Sequence, residues 1–450
     1  MVNTKIKRFF CFFIFVLSFL WCFSTQLYQT KYTNYFSVRS LFTSYSGILA
    51  LGCMSIIMLL AIRPVFLEKR LDGADKLYRL HKWLGITVLV VSTLHWLNVK
   101  IPHWLISWQL MARPTSRPPR VPADFFLFRF FQQQHHTAAV IGEWAFYVAA
   151  FLMVLALIKK IPYWIFIKTH YILAILYLLF VYHSIILIKF SYWTDIIAPI
   201  FVLLIGTGIF AAFVVLLDKA QITPNITGKI NHLKYFSHNQ FLQVDIQADK
   251  KWPGHQIGQF AFLTFSRLEG HHPFSIASVW NKDERILKFL IKPLGDYTKK
   301  LPSLLKIGDK IVLEGPYGTF NFQNKSSQHQ IWIAGGVGIT PFIAGIDGII
   351  HKQLNIKTVD LFYTLREIDN SFIDELQEKA NRAGVRLHLI NTSISKQRLD
   401  FELITKKIPN WIECDYWFCG PEGMQNAITS QLRQNGVTDD RLHWELFHMR

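Results

Sequence analysis

Leu80–Trp96 reads LHKWLGITVLVVSTLHW, an apolar run with a histidine near each end, His81 and His95. On an α-helix the step of fourteen residues between them rises about 21 Å and makes close to four turns, so both imidazoles face one side. Thr169–Ile188 carries a second pair, His170 and His183, thirteen residues or about 19.5 Å apart along the axis. Two such helices side by side offer two histidine pairs, one near each surface of a hydrocarbon core about 30 Å thick. An imidazole at that depth is costly. A cap or a backbone carbonyl accounts for one such histidine, but hardly for two pairs with matching separations. Histidine is a common axial ligand of haem iron. The spacing therefore predicts two stacked bis-histidine haems, with His81, His95, His170 and His183 as the iron ligands. No Cys-x-x-Cys-His is present, so the haems are expected to be b-type and not covalently attached.

The rest of the chain divides by composition. Residues 1–220 hold seven Asp and Glu against twenty-one Lys and Arg, and residues 221–450 hold twenty-three against twenty-seven. The first part is apolar and basic, and the second has the balance of a soluble enzyme. The overall pI near 9.6 does not point to nucleic acid, because most of the excess charge flanks apolar helices. The five cysteines show neither metal-site spacing nor a disulfide framework.

Lys5, Lys7 and Arg8 precede an apolar run from Phe9 to Phe23 that lacks a small-x-small cleavage site, so a retained helix is favoured over a signal peptide. Further spans are expected at about 41–62, 78–97, 140–158, 165–188 and 196–217, with a long loop from Asn98 to Ala139. Basic residues at the N-terminus, from Arg63 to Lys82, and at Lys159, Lys160 and Lys168 mark those ends as cytoplasmic. In that topology His81 pairs with His170 near the cytoplasm and His95 with His183 near the outer face. The expected location is the cytoplasmic (inner) membrane, with the soluble domains in the cytoplasm.

After Asp218 the periodicity changes. Asn239–Gln247, Ile286–Lys292 and Asp309–Leu313 are short alternating stretches set between Gly, Pro and Asp, which suggests a small antiparallel barrel. From Gln330 onward, strands such as QIWIAGG and TVDLFYT alternate with helical segments, the doubly wound nucleotide-binding pattern. His272-Pro273-Phe274-Ser275 offers a flavin ring an apolar face and hydrogen-bonding groups. Ile291, Lys292, Gly295 and Thr298 lie where a glycine, a hydroxyl and a helix start hold a pyrophosphate. Glu314–Gly318 reads as a tight turn closing the barrel. Gly335, Gly336, Gly338, Thr340 and Pro341 form a Gly-rich loop between strand and helix, joined by Cys419, Gly420 and Pro421 at the end of a later strand. Arg366, Lys396 and Arg398 follow the next two strands, as cations for a 2′-phosphate would, which favours NADPH over NADH.

The order of bis-histidine helices, HPFSIAS, GDYT, EGPYG, AGGVGITP and FCGPEG resembles the ferric reductase and NADPH oxidase superfamily along nearly the whole chain. The resemblance implies a six-helix transmembrane dihaem bundle over residues 1–220. It further implies an FAD-binding β-barrel over 221–325 and an α/β NAD(P)H-binding domain of the ferredoxin-reductase type over 326–450. Ser275, Cys419 and the C-terminal aromatic Phe447 would then stand at the reacting flavin and nicotinamide. Two positions depart from the animal oxidases. Val99 stands where they carry an extra histidine, and Arg39 precedes the span on which they carry an arginine.

The implied activity carries electrons from cytosolic NAD(P)H through FAD and two b-type haems to an acceptor outside, by outer-sphere transfer. Ferric chelates, dioxygen and a partner redox protein compete as acceptor. Arg113, Arg117, Arg120 and Arg129 in the outer loop favour anionic chelates, and no partner subunit is identified. A transporter fused to a reductase would use the same histidines for protons or metal, but the runs offer few other buried charges for a path.

Overall fold

The computed structural model describes residues 4–24, 35–64, 67, 70–71, 73–112, 126–158, 161, 163–217, 226–266, 269–295, 297–322, 329–393 and 398–445. It separates into two units, Val2–Leu71 with Lys76–Ile222 and Asp72–Asp75 with Thr223–Arg450.

The first unit is helical: α1 Thr4–Cys22, α2 Tyr35–Ala61, α3 Ala74–Ser107, α4 Phe126–Leu157, α5 Tyr163–Leu187 and α6 Ala198–Leu216. Among the described residues five helices, α2 to α6, are long and apolar enough to cross a membrane. α1 is also 19 residues long, with Lys5, Lys7 and Arg8 in its first turns. Many of their large apolar side chains face outward, Phe151, Leu203 and Phe210 among them, as suits helices solvated by lipid. Inside, Ile48, Leu51, Tyr177, Phe201 and Ile205 join α2, α5 and α6, while Leu17, Cys53, Leu80 and Leu84 join α1, α2 and α3.

Two expectations are corrected here. The segment Asn98–Ala139 is not one long loop, because α3 runs on to Ser107 and α4 starts at Phe126. At 34 and 32 residues these helices measure about 51 and 48 Å, well beyond the hydrocarbon core. Hydropathy marks where the apolar window ends. A helix bonded within itself continues past that point, through polar residues such as Gln132 to His136 and even through Pro102. Arg39 likewise lies inside α2 instead of ahead of it. Its guanidinium donates to the Asn98 and Val99 carbonyls on α3, at 2.8 and 3.2 Å. Asn98 answers with donations to the Arg39 carbonyl and to Thr43 Oγ1.

The second unit starts with six antiparallel strands: β1 Ile226–Phe236, β2 Phe241–Ala248, β3 Phe260–Thr264, β4 His272–Ser275, β5 Ile286–Ile291 and β6 Lys310–Tyr317. Their order is β4-β3-β6-β1-β2-β5. The two edges meet where Ile276 bridges Phe289 and the Ala277 N–H donates to the Lys288 carbonyl at 2.7 Å, so the sheet closes into the expected barrel. β1 escapes a simple alternation reading because its pairing with β2 shifts between Ile230 and His232. Glu314 to Tyr317 is not a tight turn but the end of β6, bulged against β3 near Gly315 (φ +137°).

A parallel sheet follows, ordered β11-β10-β7-β8-β9, from β7 His329–Gly335, β8 Thr358–Leu365, β9 Arg386–Asn391, β10 Asp415–Cys419 and β11 Leu442–Glu445. Both faces are covered: Trp332, Leu361 and Trp417 lie in one core cluster, and Ile331, Phe362 and Phe418 in another. Continuous apolar strands such as DYWFC follow from that double burial. Asp360, 1% exposed at the amino end of β8, accepts from Arg386 Nε at 2.9 Å, and His329 and His388 lie at 2.8 Å. The chain order reverses between β7 and β10, which makes that boundary the crevice where sheets of this kind bind ligands.

Candidate functional site

The membrane unit brings the four histidines together in pairs. His81 on α3 and His170 on α5 have ring centroids 6.2 Å apart at an interplanar angle of 31°. Two imidazoles gripping one ion from opposite sides with metal–nitrogen bonds of about 2 Å need roughly that separation. His95 and His183 line one cavity of about 270 Å³, with Gly47, Gly142, Ser184 and Lys100 also in its wall. His183 Nδ1 lies 2.8 Å from the Ala138 carbonyl and His95 Nδ1 3.0 Å from Ser46 Oγ. Such bonds fix a ring and leave its Nε2 for a ligand. A Cβ at Gly142 would fall 2.0 Å from His183 Nδ1, so only glycine lets that ring stand there. The set would fit two haems, each held by one histidine from α3 and one from α5. Among the described residues no group of three or more His, Cys, Asp or Glu converges as a metal site, and these histidines come in twos.

In the barrel, β4 carries His272, Pro273, Phe274 and Ser275 beside β3, pairing Phe274 with Ala261 and Ser275 with Phe260. Ser275 is buried, and the His272 ring stacks on Tyr297 at 5.1 Å. Burial lowers the His272 imidazole to about 4 and raises the Tyr297 hydroxyl to about 12, so both are neutral at pH 7. Thr298 Oγ1 accepts the Leu294 and Gly295 N–H groups at 3.0 and 3.1 Å, which makes that hydroxyl the brace of its turn. Nothing lies within 4 Å of where a Gly295 Cβ would be, leaving the backbone open to a phosphate.

Ile291 ends β5 in the barrel core, and Lys292 follows it with its Nζ 5.8 Å from the Phe241 ring centroid. The same Nζ stands 3.8 Å from where a Gly336 Cβ would lie, so a barrel cation reaches the Gly-rich loop. Gly336 takes φ +55° to turn out of β7, and Pro341 occupies the first turn of α8 Thr340–Ile350. Thr340 is buried and donates to the Val337 carbonyl at 2.7 Å. A Cβ on Gly338 would meet the Cys419 carbonyl at 2.1 Å, and one on Gly335 would meet Pro421 at 2.5 Å. A Cβ on Gly420 would fall 2.9 Å from the Gly335 nitrogen, so the two loops expected to hold the nucleotide sit against each other at the crevice. Burial pushes the Cys419 thiol well above its ordinary value, with Glu445 adding to the shift, so it is no thiolate.

Glu445 is the residue the sequence did not single out. It pairs with Cys419 across β10 and β11, and its Oε1 is 3.4 Å from a Gly318 Cβ position, at the end of the barrel. A lone glutamate near a C-terminus carries no signal without that register. Arg366 follows β8, and its carbonyl accepts from Ser393 Oγ at 2.7 Å, tying together the loops after β8 and β9. Arg366 and Arg398 are both exposed. Lys396, Phe447, Arg113, Arg117 and Arg120 lie outside the described residues.

Three family matches run in order along the chain. Residues 46–181 match the ferric reductase like transmembrane component, 227–321 an FAD-binding domain and 332–430 an oxidoreductase NAD-binding domain. The chain has the architecture of a ferric reductase/NADPH oxidase-type flavocytochrome. Within that architecture the chain is similar to an NADPH oxidoreductase of Mycobacterium tuberculosis, 30% identical over 156 residues, 34% of this chain and 40% of that protein. The reductase component of the propane 2-monooxygenase of Rhodococcus jostii is 26% identical over 208 residues, 42% of this chain and 55% of its own length. The chain thus spans less than two thirds of these curated relatives. Among solved structures, the FAD/NAD-binding domain of a Vibrio cholerae nitric oxide dioxygenase aligns over 49% of this chain and 98% of that one, at 20% identity and a TM-score of 0.42.

Proposed function

We propose that the protein carries electrons from cytosolic NAD(P)H across the cytoplasmic membrane to ferric chelates on its outer face. When bound, FAD takes a hydride from the nicotinamide and gives up single electrons, and two b-type haems relay them. The observation that carries the reading is the pairing of histidines from α3 and α5 at two levels of one helical unit whose chain continues into FAD- and NAD-binding domains.

The chain's own residues have defined parts. His81 with His170 and His95 with His183 would hold the irons, with Ser46 and the Ala138 carbonyl fixing the rings of His95 and His183. Phe274 and Ser275 face the flavin ring, and neutral His272 and Tyr297 stack beside it without adding charge. The Gly295 turn and Lys292 receive the phosphates. Gly336 and Gly338 bring the nicotinamide nucleotide to the β7–β10 crevice, where Ser275 and Cys419 line the reacting face, and Phe447 is the aromatic that the family resemblance assigns to the flavin. Arg366, Lys396 and Arg398 take a 2′-phosphate. With both imidazoles of a pair engaged, iron held there would offer an acceptor no ligand position, so the acceptor would be reduced by outer-sphere transfer.

The basic residues Arg113, Arg117, Arg120 and Arg129 support an anionic acceptor, whose encounter rate such a field raises. Purified protein should reduce ferric citrate, and neutralising the four arginines should slow that reaction and flatten its salt dependence. Turnover that is largely superoxide-forming and unaffected by ferric chelate would overturn the choice of acceptor. Dioxygen reduction remains the second reading, because Arg39 lies on α2 and bonds to α3 three to four residues past His95.

A further inference from the structure

Among the described residues the second unit exposes six large apolar side chains, and its three most exposed, Leu294 (73%), Leu304 (55%) and Ile307 (67%), belong to one run, Leu294–Lys310. The run is anchored. Leu301, in the short helix α7 Leu301–Leu304, is fully buried in the barrel core with Leu305 packed beside it. Gly308 donates to the Ile230 carbonyl at 2.8 Å, and the Ile230 N–H donates to the Asp309 carbonyl at 3.0 Å. Leu304 and Ile307 are thus held outward by a fixed backbone. Lys299, Lys300, Lys306 and Lys310 are exposed along the same run, and exposed Lys229 pairs with Lys310 across β1 and β6. By sequence the run Leu294–Lys310 holds two carboxylates, Asp296 and Asp309, against four lysines, and the Asp309 Oδ2 accepts the Lys306 N–H.

We propose that this run is a docking site for the surface of an anionic bilayer, with Leu304 and Ile307 entering the interface and the lysines lying among phospholipid headgroups. The choice of cation separates this occupant from a protein. Protein interfaces deplete lysine and favour arginine, whose rigid fork suits fixed partners. Here five lysines and no arginine surround the apolar tips. Long ammonium side chains suit a fluid layer of phosphates, and apolar residues beside them are the pattern of an interfacial segment. The stretch from Arg63 to Lys82 that the sequence marks as cytoplasmic holds six basic and three acidic residues, so it is itself net basic. The chain brings its own bilayer within reach, so modest affinity suffices to seat the site. The proposal rests on the chain being membrane-embedded with this unit on the anionic side, and not on the identity of the acceptor. It places the lipid contact next to the Gly295 and Thr298 turn, so seating would steady the flavin phosphate cradle.

The test is hydrogen exchange of amides 297–308 in the full chain, in detergent, in phosphatidylcholine vesicles and in vesicles that also hold phosphatidylglycerol. Exchange should slow several-fold only with phosphatidylglycerol, and high salt should reverse the effect. The double variant Leu304→Asp with Ile307→Asp, and the triple variant Lys299→Glu, Lys300→Glu and Lys306→Glu, should both lose the protection while β2 amides keep theirs. Equal rates in both vesicle types, or protection that persists in detergent, would mean that protein covers the run or nothing does, and either result overturns the proposal. Haem content of the same samples reports separately on the electron-transfer reading.

Discussion

Gly142→Ala probes the pair of His95 and His183 directly. The added carbon would fall 2.0 Å from Nδ1, 2.4 Å from Cε1 and 2.6 Å from Cγ of His183. Ordinary contact needs about 3.5 Å, so the ring must retreat by roughly 1.5 Å. Metal–ligand distances tolerate only about 0.2 Å, so a ligand displaced this far is lost. The retreat also breaks the bond between Nδ1 and the Ala138 carbonyl, 2.8 Å in the native arrangement. Haem per chain, measured as the pyridine haemochrome, should fall from about two to about one, as it should on changing His95. NADPH should still bleach the flavin, because the second unit is untouched. Gly206→Ala, where nothing lies within 4 Å of the new carbon, is the matched control and should keep both haems. Two haems with an unchanged low-spin spectrum in Gly142→Ala would refute the placement of His183 as a ligand.

Three further outcomes follow from the second unit. Gly338→Ala drives a methyl into the Cys419 carbonyl at 2.1 Å, so flavin reduction by NADPH should be lost while chemical reduction by dithionite is retained; normal NADPH reduction would show that the loops need not touch. Arg366→Ala and Arg398→Ala should each raise KM for NADPH about tenfold, roughly one charge-assisted bond, and leave NADH unchanged; equal effects on both nucleotides would remove these residues from the 2′-phosphate site. Asp360→Asn leaves Arg386 without its carboxylate and should cost about 2 kcal/mol, a buried-pair figure reduced because the guanidinium is half exposed; an unchanged melting midpoint would refute it. Burial would raise the Asp360 carboxyl, but bonds from His329, His388 and Arg386 outweigh it and hold the value well below the ordinary range. The stability it supplies is therefore complete above pH about 4 and drains away as pH falls below that. Buried His255, His272 and His443, each lowered to about 4, act at higher pH: the unfolded chain protonates first, so the midpoint should already drop between pH about 6.5 and 4. A flat profile there would contradict their burial.

What the sequence determined by itself was whatever periodicity and local chemistry encode. The fourteen-residue step puts His81 and His95 on one side of α3, because helix pitch is fixed, while the thirteen-residue step of α5 sets only the axial separation of His170 and His183. Closely spaced glycines after QIWIAGG and the FCGPEG run announce strand ends where backbones approach closely, and the structure brings those ends together. Tertiary structure decided what depends on partners distant along the chain. Helix ends beyond the apolar window were invisible to hydropathy, so Arg39 could be assigned to α2 only once its bonds to α3 were seen. Gly142 looks like any helical glycine until His183, forty-one residues later, takes its missing Cβ space. Lys292 meets the Gly336 loop and Glu445 meets Cys419 only because a barrel and a parallel sheet place them there. Register and packing between elements are collective properties, set by the burial of whole faces, and no local stretch carries them.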